Sequence, residues 1–263
     1  MSMQESGQMR PELRGGCAGT NQVRLARRAL LWAVAGSLAL VLVPRLLPAL
    51  SWLAWPQILM GTLAHELGHG LAALSVGGGL ESLRLYPDGS GVALTHAPGG
   101  ALSRAWIAAG GLFGPPVAGA MLFIGARRVE LARALLALVA IGLVLALACW
   151  VRNAFGWLWV GSCIVLMGWV GLRWSAAAAQ AFTCFLAVQC CLASLARTDY
   201  LFASQARTGA GKLVSDTAQM AVGLGGPHWF WGGLVLLVSL GVMGIGLWWF
   251  LRALRRAGTS HAR

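Results

Sequence analysis

Five consecutive residues carry the chemistry of this chain: His65-Glu66-Leu67-Gly68-His69. On a helix, residues four apart share a face. Both imidazoles can then hold one divalent ion, and the glutamate between them can take a proton from water at that ion. The chemistry implied is metal-assisted hydrolysis. The setting is unusual for it, because Thr62-Leu63-Ala64 precede the motif and Gly70-Leu71-Ala72-Ala73-Leu74 follow it. An unpaired charged side chain at the centre of a bilayer costs about 3 kcal/mol even on a lenient insertion scale. Two histidines and a glutamate on one face therefore need partners. A polar face paired across a helical bundle is the plainer reading, and the HExxH spacing argues for a metal over it.

A catalytic zinc site takes three protein ligands and keeps one position open. The third ligand is not a nearby histidine, since Ser75 stands where an HExxHxxGxxH pattern needs one. His96, His228 and His261 read as interface or tail residues. The chain has eight acidic residues. Glu5 and Glu12 lie near the N-terminus, Glu81 and Asp88 lie in a turn-rich stretch, and Glu130 sits among arginines with which it is expected to pair. Asp199 and Asp216 remain. Asp199 closes the apolar run 182–195, at a membrane boundary. Asp216 lies in Val214-Ser215-Asp216-Thr217-Ala218, where Ser215 or Asp216 equally suits a helix cap. Spacing and burial favour Asp199, with Asp216 as the alternative.

The elements that must position these residues are membrane helices. The chain of 263 residues is 58% hydrophobic and only 11% charged, against about a quarter charged in a soluble domain. Its mean hydropathy is +0.71. The net charge of +12 does not point to nucleic acid, because the basic residues flank apolar runs. Arg10, Arg14, Arg24, Arg27 and Arg28 precede the first run, and Arg252, Arg255 and Arg256 follow the last. That distribution suits anionic lipid headgroups. All of the six cysteines but Cys17 lie within apolar runs, with no C-x-x-C spacing, so they read as small hydrophobes and not as a disulfide framework. No removable signal peptide is expected.

Apolar runs occupy residues 29–50, 52–76, 101–125, 131–150, 154–173, 176–197 and 228–251, with Trp157, Trp159, Trp229 and Trp231 as interfacial belts. Between the second and third, Leu83 and Leu85 alternate into Pro87-Asp88-Gly89-Ser90-Gly91, followed by Val92 and Leu94, which predicts a β-hairpin. The fold class is thus an all-α polytopic membrane protein, about six to seven transmembrane helices with a short β-hairpin after the zinc-motif helix. Residues 1–28 read as a disordered basic tail, 29–251 as the membrane-embedded domain, 252–263 as a second basic tail and 198–227 as a polar loop. Both ends and the segment bearing Arg127, Arg128 and Arg133 are basic. Seven full crossings cannot put all three on one side, so one run should be re-entrant or broken. Pro115-Pro116 makes the run at 101–125 the suspect. In the same run, Gly110-x-x-x-Gly114 predicts close packing, against the zinc-motif helix.

The chain resembles the site-2-protease family of intramembrane zinc metalloproteases, in particular its compact bacterial and plant-type branch. His65-Glu-Leu-Gly-His69 carries the resemblance, followed in family-like order by Leu83-Arg-Leu-Tyr-Pro-Asp-Gly-Ser-Gly-Val92, Gly110-Gly-Leu-Phe-Gly-Pro-Pro-Val-Ala-Gly119, Arg152-Asn-Ala-Phe-Gly156 and Ser215-Asp216. The resemblance covers about residues 30–250. It implies zinc as cofactor, His65 and His69 as ligands, Glu66 as general base and an aspartate from a later span as third ligand. It implies a substrate-positioning role for Gly114, Pro116 and Gly119. It also implies an integral protein of a bacterial cytoplasmic membrane, acting on a membrane protein or peptide. The family's Leu-Asp-Gly is absent, and Gly119 stands where its asparagine would be. A catalytically inactive membrane scaffold or chaperone that keeps the fold is therefore the alternative function. A metal transporter is disfavoured, because it would string ionisable residues through several spans.

Overall fold

In lipid every backbone N–H and C=O must be bonded within the protein, so apolar runs of about 20 residues become helices. The computed structural model describes residues 11–259 apart from residue 197. Helix α1 (Pro11–Leu46) leads through a 3₁₀ turn to α2 (Trp55–Ser75), which carries the HExxH motif. Strands β1 (Gly79–Leu85) and β2 (Gly91–His96) form the expected hairpin. Helices α3 (Gly100–Ala126), α4 (Val129–Cys149), α5 (Ala154–Arg173) and α6 (Ala176–Ala196) follow. A short α7 (Thr198–Phe202), a second antiparallel hairpin of β3 (Gln205–Thr208) and β4 (Gly211–Val214), and α8 (Asp216–Leu224) precede the final α9 (His228–Thr259).

Several expectations are corrected. The loop expected at 198–227 is folded into α7, β3, β4 and α8. The expected N-terminal tail is helical from Pro11 and lies outside the described residues before it; the expected C-terminal tail continues α9 to Thr259. The suspected break at Pro115-Pro116 does not occur: α3 is one helix of 27 residues. The adjacent prolines confine the lost backbone bonds to one turn. Around that turn, Pro115 lies with Gly61 of α2, Ala193 of α6 and Val235 of α9, so tertiary packing overrides the local cost.

The topological puzzle has another solution. Six helices among the described residues are long and apolar enough to cross a membrane, and α2 is not one of them. Gln57, Thr62, His65, Glu66 and His69 lower its hydropathy. An even number of spans brings the basic segments to one end. Gln180 donates to the Ala126 carbonyl (2.8 Å) and Arg133 to the Trp174 carbonyl (2.6 Å). Val23, Arg127 and Arg252 line one pocket there. At the opposite end the first hairpin docks on the α4–α5 connection, where Leu83 N–H donates to Trp150 O (2.8 Å) and Arg152 N–H to Leu83 O (3.1 Å). The chain is an integral multi-pass membrane protein.

Helix α3 is the central element, and small residues set how closely it is approached. A Cβ on Gly68 would strike the Gly110 carbonyl, and one on Gly114 would strike the carbonyl of Ala64. The Gly110-x-x-x-Gly114 pair does pack against the motif helix, as its spacing implies.

Candidate metal centre

On α2, His65 and His69 face the same side one turn apart, their Nε2 atoms 3.2 Å from each other. Room for His69 comes from Gly111, where any Cβ would collide with the imidazole. Its Nδ1 lies 2.8 Å from the carbonyl of Ile107. A carbonyl only accepts, so Nδ1 carries the proton and Nε2 presents its lone pair to the cluster.

The third donor is Asp216. Its Oδ2 lies 3.0 Å from His65 Nε2 and 3.5 Å from His69 Nε2, and the three side chains form one potential ligand group. Asp216 opens α8, whose N-cap is Ser215: the Ser215 hydroxyl accepts from Ala218 N–H and donates to the Ala203 carbonyl. The cap holds the first turn, and the helix N-terminus favours a carboxylate there. Tyr200, from α7, donates its hydroxyl to Asp216 Oδ2 at 2.9 Å. Burial alone would push the Asp216 carboxyl up; with no ion bound, His69 and His65 in their protonated form outweigh it and hold it below the usual carboxylate range.

The donor set fits zinc. Two imidazole nitrogens and a carboxylate oxygen are catalytic-type ligands, and bonds of about 2.0–2.2 Å in a tetrahedron separate donors by roughly 3.3 Å. The spacings here are 3.2, 3.0 and 3.5 Å. The His69–Ile107 hydrogen bond is the kind of outer contact that orients a metal-binding imidazole.

Glu66 is buried next to this group. A Cβ on Gly91 would meet the Glu66 and Thr62 side chains, so the backbone of β2 passes directly over Glu66. Thr62 donates to the Gly89 carbonyl (2.6 Å) and Trp55 to the Pro87 carbonyl (2.7 Å), which fastens the hairpin turn to α2. Gly209 N–H donates to Ser90 Oγ (2.8 Å), tying the second hairpin to the first. Between the two hairpins lies a cleft of about 230 Å³, lined by His65, Glu66 and His69 together with residues of β2, β3 and β4.

The fate of the other candidates follows from direction and depth. Asp199, preferred on spacing, is exposed in the first turn of α7 and is not part of the cluster. Successive helical residues point about 100° apart, and Tyr200 takes the inward direction. Gly114 and Gly119 pack α3 against α2 and α6, and Pro116 is buried in α3; none of the three lines the cleft. Glu130 makes no ion pair among the described residues. His96 pairs with Glu81 at the surface, and His228 lies 3.1 Å from the Phe202 carbonyl. Tyr200 was missed: nothing in a lone tyrosine after an apolar run marks it. Ser215 before Asp216 was the available signal for the third ligand, since a capping serine fixes the next residue in a helix's first turn.

A family model described as Peptidase M50B-like matches residues 27–246. The chain belongs to that family. No curated protein and no solved structure matched the chain. The family is one of membrane peptidases, which agrees with the six apolar helices and with a largely buried His/His/Asp group.

Proposed function

We propose that this M50B-like protein is an intramembrane zinc endopeptidase that hydrolyses peptide bonds of membrane-associated proteins. The observation that carries the reading is the convergence of His65, His69 and Asp216 beside Glu66, in a cleft bounded by an open strand edge. His65, His69 and Asp216 would hold the ion. Bound zinc would lower the pKa of a water to about 7 and steady charge on the carbonyl under attack. Glu66 takes the proton from the attacking water and returns it to the leaving amine nitrogen. Tyr200 holds Asp216 in place through its hydroxyl.

A helical peptide bond is shielded, so a substrate must be extended at the cut. The hairpin supports this. Leu83 spends its N–H and C=O on the α4–α5 connection, and Leu85 is bonded on the same side by Asn153. Their partners across the hairpin, Ala93 and Gly91, therefore point their backbone groups away from β1. Ala93, Gly91 and, two residues on, Thr95 line the cleft. That edge can receive an extended segment by strand addition, with the cut bond carried over Glu66.

Because the substrate is unidentified, the test reads all new N-termini in membranes that express wild type or Glu66→Gln. New termini within membrane segments, absent with Glu66→Gln although zinc content is equal, are expected. Identical profiles at equal zinc content would sink the peptidase reading and leave the scaffold.

A further inference from the structure

The end of the bundle remote from the metal centre holds a second, differently built site. Arg127, the C-cap of α3, lies 20 residues beyond Ile107, the His69 partner, which is about 30 Å along a helix. A pocket of about 600 Å³ opens there, lined by Arg127, Arg128, Glu130, Trp249, Arg252 and Arg256. Arg127, Arg128 and Arg252 thus face one carboxylate, and Glu130 forms no ion pair with them among the described residues. The Nε–H of Arg127 is enclosed and has no acceptor among the described residues. An enclosed charged donor without an acceptor is costly and rare.

Two further features converge on the same space. Helix α4 starts at this wall: Arg128 is its N-cap, with extended backbone, and no side chain caps the first turn. Its unpaired N–H groups and positive dipole end suit an anion. Arg252 stacks its guanidinium over Trp248 at 4.8 Å, which fixes its charge in place. Planar guanidinium forks match the oxygens of a phosphate.

We propose that this pocket binds a phosphate group, supplied by the headgroup of an anionic membrane phospholipid. The lipid source follows from position. The pocket lies where the spans end, at headgroup depth, and Trp248 and Trp249 beside it are exposed as interfacial tryptophans are. The proposal is independent of the peptidase reading and involves none of its residues.

The test uses the full chain in detergent and native mass spectrometry with dioleoyl phosphatidylglycerol, dioleoyl phosphatidylcholine and, as competitor, millimolar inorganic phosphate. Preference for phosphatidylglycerol over phosphatidylcholine is expected. Arg127→Gln with Arg252→Gln should weaken phosphatidylglycerol binding about tenfold or more, and Arg84→Gln at the hairpin end should not. Glu130→Gln should tighten binding about threefold by removing a like charge, and this variant decides the matter if the double variant does not fold. Displacement of the lipid by inorganic phosphate at comparable concentration would support the phosphate site and assign it a soluble ligand. Equal binding of both lipids, or no response to either set of variants, would overturn the proposal.

Discussion

The hydroxyl of Tyr200 donates to Asp216 Oδ2 at 2.9 Å and accepts from the backbone N–H of Asp216 at 3.2 Å. One phenol thus grips both the side chain and the main chain of the third donor. Its ring also stands edge-on to His65, with centroids 6.1 Å apart. Tyr200 is a positioning residue. Tyr200→Phe keeps the ring and removes both hydrogen bonds. We expect zinc affinity to fall about 10- to 100-fold, measured by chelator competition, with the melting temperature little changed. Wild-type zinc affinity in Tyr200→Phe would contradict the assignment.

Asp216 and Asp199 make opposite predictions. Asp216→Ala removes one of three donors, so zinc per chain should fall from one toward none. Asp199→Ala removes an exposed side chain outside the cluster and should leave zinc content unchanged. Elemental analysis of the purified proteins reads both. Loss of zinc with Asp199→Ala alone would mean that the ligand set differs from the geometry described.

What could be read in advance divides by distance along the chain. His65, Glu66 and His69 lie within one helical turn, so spacing alone places them on one face. The first hairpin was legible because Pro87 to Gly91 is a strong local turn signal between alternating leucines and valines. The third donor was narrowed to Asp199 or Asp216 but not decided, because it meets His65 across 151 positions of sequence. Its approach is set by the Ser215 cap and by β3 and β4, four-residue strands without apolar alternation. The six spans fall within the expected six to seven, but which run does not cross was not legible, for a related reason. The motif helix is long enough to cross but is diluted by the polar groups that do the chemistry, and the double proline drew suspicion to α3 instead.

The close contact of α2 with α3 gives a prediction on stability. A Cβ at Gly114 would meet the Ala64 carbonyl and the Gly68 backbone, whereas nothing lies within 4 Å of a Cβ at Gly142. Gly114→Val should therefore destabilise by about 1–3 kcal/mol through overpacking. It should also displace the helix that carries His65 and His69. Gly142→Val should stay within about 0.5 kcal/mol of wild type. Thermal unfolding in detergent distinguishes them, and equal melting temperatures would refute the close-packing account.

The open edge of β2 can be probed without touching the metal centre. Ala93 pairs with Leu83 at a position where neither bonds the other, so its N–H points outward into the cleft. Ala93→Pro deletes that donor and removes no bond of the hairpin, and proline is tolerated at a free strand edge. A substrate docked by strand addition would lose one main-chain hydrogen bond and meet the ring. Cleavage of a substrate found by the terminus survey should fall about tenfold, with zinc content unchanged. Val92→Pro is the contrast. Val92 pairs with Arg84 inside the hairpin ladder, so its proline should disrupt the hairpin and lower thermal stability as well. If Ala93→Pro cleaves at the wild-type rate, the substrate does not lie along this edge, and the hairpin serves only to cover Glu66.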